Sequence, residues 1–124
     1  MDVKLSELVE SAGILEEVSS YGPQELPGEI TQILLRFEHS SCVFCVIDDT
    51  DEICLKSFEE GSLLAERTSP TVFHKCIGNK LTWAWEMRNN QGYSDALKFE
   101  FSSGVSVELV VMASSIKQYL VSEL

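Results

Sequence analysis

The sequence predicts an α+β domain built on one antiparallel, meander-type sheet of about six to seven strands, with one N-terminal helix and one short helix near residues 69–77. Three observations carry that expectation. Apolar residues alternate strictly in the last third of the chain: Leu81, Trp83, Trp85 and Met87, then Leu97, Phe99 and Phe101, then Val105, Val107, Leu109 and Val111. Helical spacing occurs at only two places, Leu5, Leu8, Val9 and Ala12 before Gly13, and Val72, Phe73, Cys76 and Ile77 before Gly78. The 124 residues are 44% hydrophobic and 23% charged, which suits a single domain, residues 1–124, with its own core.

In chain order, Asp2 is placed to cap the first helix over residues 3–12, and Gly13 to end it. Residues 14–20 read as a strand that stops at the proline- and glycine-rich stretch 21–28. Residues 29–38 alternate as a strand does. Cys42 to Ile47 are apolar on both parities, as in a strand covered from both sides. The acidic turn 48–51 leads into a strand over 52–56, and residues 57–68 carry no clear period. Ser69-Pro70 resembles the start of the second helix.

Pairing Trp85 with Leu97 and Trp83 with Phe99 would place the apolar residues of the first hairpin on one core face, both tryptophans included. Pairing Phe99 with Val107 and Leu97 with Leu109 does the same for the second hairpin, across the loop 102–104, and sets Lys98 opposite Glu108. Residues 116–121 are placed to add a final strand.

The chain carries 20 acidic against 9 basic residues, a net charge of −11. Fourteen of the acids lie in positions 1–60, against Lys4, Arg36 and Lys56, so that half holds all of the excess. Nucleic acid and anionic membranes would be repelled. A basic protein is the partner such a charge would suit. No apolar run reaches the roughly 18 residues of a membrane span, and the acidic N-terminus is unlike a signal peptide, so a soluble, cytoplasmic protein is expected.

The sequence offers no phosphate-binding loop, no cofactor motif and no nucleophile–base set. Cys42 and Cys45 form a CxxC, but within a strand the two side chains would face opposite ways, and all four cysteines are expected to be inert core thiols. His74 and Cys76, two apart on a helix, would diverge. Asp48, Asp49 and Asp51 are weak candidates for a divalent cation, because the segment lacks the glycine and closing glutamate of an EF-hand loop. The hairpin loop 89–95 is longer than its strands require and rich in amides, so Asn89, Gln91, Tyr93 and Asp95, with Glu86 and Arg88, are the candidate binding residues.

The run Trp83-Ala84-Trp85, followed by Asn89-Asn90-Gln91-Gly92-Tyr93-Ser94-Asp95, resembles a family of short bacterial proteins of unknown function. In that family a W-x-W strand leads into an N-x-Q-G-Y-x-D hairpin. The resemblance covers about residues 76–113 and implies no catalytic residue. Two functional expectations stand. One is a non-catalytic protein-binding module, in the style of small acidic immunity or antitoxin proteins, that uses the acidic half against a basic partner. The other is a small-molecule binder or small enzyme that uses the Trp83/Trp85 sheet face and the 89–95 loop.

Overall fold

The computed structural model describes residues 4–68 and 71–122. The caps expected at Asp2 and at Ser69-Pro70 lie outside the described residues. Helix α1 spans Leu5–Ser11, one turn shorter than the spacing predicts; Gly13 follows its C-cap at φ +83°, the left-handed conformation that ends a helix without a Cβ clash. The second helical segment is a 3-10 helix, Val72–Cys76, capped by Thr71. The Thr71 hydroxyl accepts the Phe73 N–H, and His74 Nδ1 accepts the Thr71 N–H at 3.0 Å.

Two antiparallel sheets replace the single sheet expected. The first has the order β4-β3-β2-β1-β5, formed by β1 (Leu15–Gly22), β2 (Gln32–Phe37), β3 (Ser41–Val46), β4 (Ile53–Ser57) and β5 (Ala65–Arg67). Its core face carries Ile33, Leu35 and Phe37 of β2, Cys42 and Phe44 of β3, and Ile53 and Leu55 of β4.

β4 and β5 lie at opposite edges, so the chain between them must cross the other face. Residues 58–64 form that strap. The Phe58 N–H donates to Ser41 O, and the Arg36 guanidinium lies 4.8 Å from the Phe58 ring centre. Farther along, the Gln32 side chain donates to Ser62 O at 3.1 Å and accepts from Leu64 N at 2.9 Å. Leu34 and Val43, on this outer face, are buried. The double-sided hydrophobicity of β3 therefore has its reason, and the stretch without a period becomes legible: it is shaped by what it crosses.

The second sheet is a meander, β6 (Leu81–Met87), β7 (Ala96–Phe101), β8 (Ser106–Met112) and β9 (Ser115–Ser122). Its β7–β8 register is the expected one, with Leu97 opposite Leu109, Phe99 opposite Val107 and Lys98 opposite Glu108. The β6–β7 register is not. A bulge between Leu81 and Trp83 slips the pairing by one residue, and the Thr82 hydroxyl donates to Glu100 O there at 2.9 Å. Trp83 faces Glu100 and Trp85 faces Lys98, so both tryptophans leave the core for the outer face, 61% and 41% exposed. Their rings stack with centroids 6.3 Å apart, and Lys98 Nζ sits 5.2 Å from the Trp85 ring centre. Inward parity falls to Leu81 and to the small Ala84, which leaves space for α1 to pack on β6.

The two apolar faces close on one core. Phe44 of the first sheet meets Phe99 of the second at 5.2 Å, and Phe73 of the 3-10 helix touches both, at 6.4 and 5.6 Å. Phe99→Ala is expected to cost about 3–5 kcal/mol in urea denaturation, because nothing can collapse into a space walled by both sheets. Trp83→Ser is expected to cost less than about 1 kcal/mol. The reverse order would mean that the tryptophans, and not Phe99, lie in the core. Arg67 binds the 23–29 segment through its guanidinium, donating to Glu29 O at 3.0 Å, Pro23 O at 2.8 Å and Leu26 O at 2.9 Å. Arg67→Lys keeps the charge but not the fork, and is expected to lower stability by about 1–3 kcal/mol and to expose the 23–29 amides to hydrogen exchange.

Candidate functional site

β1 runs toward the 23–31 segment and β2 runs back, so that segment and the β3–β4 turn lie at the same end of the first sheet. Hydrogen bonds join the β6–β7 loop and the β8–β9 turn to that end. Ser94 N–H donates to Glu52 Oε2 and Ile53 N–H to Ser94 O, both at 3.0 Å; Ser114 N–H donates to Asp51 Oδ1 at 3.1 Å. The acidic turn and the amide-rich loop, which the sequence presents as separate features, are thus brought together. Between them lies an open cleft of about 780 Å³, and Asp49, Asp51, Asn89, Gln91, Tyr93 and Asp95 are on its lining. Asp48 lies on the far side of the turn, on a second groove of about 380 Å³ that Asp49 shares.

Local chemistry shapes each wall. In the turn, the Thr50 hydroxyl donates to Ile47 O at 2.8 Å and accepts from Glu52 N at 3.1 Å, which holds the acids outward around it. In the loop, Asn89 is the organiser. Its Oδ1 accepts from the N–H groups of Gln91 and Tyr93, and its Nδ2 donates to Asp95 Oδ2 at 3.1 Å. Gly92 takes φ +88°, as this tight return requires. Asn89 and one oxygen of Asp95 therefore serve the loop itself, while Gln91 and Tyr93 are exposed. Glu86 accepts from the Ser94 hydroxyl at 3.0 Å, at the loop's stem. Neither it nor Arg88 is on the cleft lining, and neither are Trp83 and Trp85.

The site also contains residues that sequence reasoning missed. Ala113 and Ser114, between β8 and β9, have φ +52° and +64°, and Asp49 has φ +62°. Among the described residues these are all of the non-glycine positions with positive φ, and all three border the cleft. Ala-Ser lacks the Asn or Gly that normally announces such a turn, so only the strand pairing reveals it.

The remaining candidates disperse. Among the described residues, no three His, Cys, Asp or Glu side chains are grouped to hold a metal ion. Asp48, Asp49, Asp51 and Asp95 have no ion-pair partner there either; the salt bridges are Arg36–Glu17 and His39–Glu38. His74 is engaged in the cap of the 3-10 helix. Burial pushes Cys42 up to about 12 and Cys76 up to about 11, so both remain protonated core thiols. Cys42 and Cys45 do face opposite ways. Cys45 and Cys54 nevertheless depart from expectation: they lie half-buried side by side on the outer face of β3 and β4, because that face is covered only in part by the strap.

The acids of residues 1–60 do not form one continuous face. One group surrounds the cleft; another, with Glu10 and Glu38, lies at the α1 end beside His39 and Lys80. Asn89→Ala is expected to cost about 1–3 kcal/mol through the amides left without an acceptor. Hydrogen exchange should speed up at Gln91 and Tyr93 while β7 and β8 stay protected; unchanged exchange at those two amides would show that Asn89 is not the organiser.

No helix among the described residues is long and apolar enough to cross a membrane. No curated protein and no solved structure matches the chain. The chain belongs to a family of unknown function, DUF6334, whose model matches residues 2–124.

Proposed function

We propose that this chain is a non-catalytic protein-binding module that takes a basic segment of a partner protein into the cleft between the β3–β4 turn and the β6–β7 loop. The supporting observation is the placement of Asp49, Asp51 and Asp95 around one open cleft, with Asp48 beside it and no ion-pair partner for any of them among the described residues. Carboxylates without cations nearby repel one another, and a lysine- or arginine-rich segment relieves that repulsion on binding. Tyr93, half-exposed on the same wall, adds a ring face on which a guanidinium or ammonium can rest. The backbone strain of Asp49, Ala113 and Ser114 keeps the rim in a single shape, which limits the ordering entropy lost on binding. Such a module matches an immunity- or antitoxin-like, cytoplasmic protein whose acidic half meets a basic target.

A hexa-arginine peptide serves as the probe. Titrated at low salt, it is expected to shift the amide resonances of 49–51 and 91–93, with an affinity that falls as salt rises. The triple variant Asp48→Asn, Asp49→Asn, Asp51→Asn is expected to weaken binding by about tenfold or more. Shifts centred on α1 and Glu38, or an affinity unchanged in the triple variant, would overturn the reading.

A further inference from the structure

Cys45 and Cys54 are register partners in the β3–β4 ladder, and their Sγ atoms lie 3.1 Å apart. The ladder's flanking bonds, Ile47 N–H to Glu52 O and Phe58 N–H to Ser41 O, set its alternation and make Cys45/Cys54 a hydrogen-bonded pair. The Cα separation of such a pair, about 5.5 Å, is within the range that a disulfide spans. Closing the bond requires the sulfurs to approach by only about 1 Å. Both residues are half-buried, on the face of the sheet away from the core, and Cys45 lines the groove of about 380 Å³ beside Ile47 and Leu64. A small oxidant therefore has a route to it. Cys42 and Cys76 are sealed in the core and have no such route.

We propose that Cys45 and Cys54 are a redox modification site, at which a low-molecular-weight disulfide such as oxidised glutathione converts two thiols into a reversible cross-strand disulfide. One cysteine thiolate attacks a sulfur of the oxidant, forms a mixed disulfide and expels one small thiolate. The second cysteine thiolate then attacks the protein sulfur of that mixed disulfide, forms the Sγ–Sγ bond and expels the other small thiolate. Two electrons pass from the protein thiols to the oxidant, and the two thiol protons end on the released small thiols. The site lies half-buried beside an open groove, so a dithiol can reach the bond and reduce it. The link would lie three residues from Asp48 and so tie together the two strands that carry the acidic turn.

The test treats the full chain with oxidised glutathione, alkylates remaining thiols under denaturing conditions and locates the link by mass spectrometry. Trypsin followed by an acid-specific protease separates Cys54 from Cys42 and Cys45, which fragmentation then distinguishes. The expected product has lost two hydrogens, links Cys45 to Cys54, carries alkylated Cys42 and Cys76, and reverts with a dithiol. Cys54→Ser is expected to stop at a stable glutathione adduct on Cys45. A lasting adduct on the unaltered chain, a link through Cys42 or Cys76, or no reaction at all would overturn the proposal.

Discussion

Phe44, Phe73 and Phe99 come from β3, the 3-10 helix and β7, and their contact is where the two sheets become one body. Each sheet has one apolar face that water would otherwise cover, and neither face can be buried by its own strands. The aromatic trio bridges the two faces, and Leu35, Leu97, Val107 and Leu109 belong to the same buried cluster. The position of the functional end depends on that contact as well. The β3–β4 turn belongs to one sheet and the β6–β7 loop to the other, so their meeting is a consequence of how the sheets are packed.

The two outer faces are treated differently. On the first sheet, the route from β4 to β5 lays a strap over Leu34 and Val43, and what remains open is a groove beside Cys45. On the second sheet nothing described lies across the outer face. Trp83 and Trp85 cover part of one another, Lys98 lies over Trp85, and Lys98 is in turn opposite Glu108. Aromatic rings in such a position keep their apolar area partly shielded by neighbours on the same face, without belonging to the core.

Charge and strain meet at one end of the molecule. Acids of the first 60 residues lie at both ends of the first sheet, Asp49 and Asp51 at the cleft and Glu10 and Glu38 beside α1. The group at the cleft gains Asp95 from the other half of the chain, which the residue count alone would have assigned to a neutral region. Hydrogen bonds from Ser94 and Ser114 to Glu52 and Asp51 tie the walls together, so the carboxylates face a shape that the backbone already holds.

The amino-acid sequence by itself determined the strand periods of β7 and β8, their register, the helix end at Gly13 and the acidic first half. These are local quantities, set by parity, turn chemistry and composition within a few residues. Tertiary structure decided the rest. Alternation alone cannot distinguish the two faces of an edge strand, and a one-residue bulge at Leu81–Trp83 reversed the parity of β6 and sent both tryptophans outward. The three residues of β5 and the strap before them have no period of their own, because their shape follows the sheet they cross. The cleft joins residues more than 40 positions apart, and Cys45 meets Cys54 only through a ladder. Such contacts come from pairing and packing between distant segments, and no local pattern encodes them.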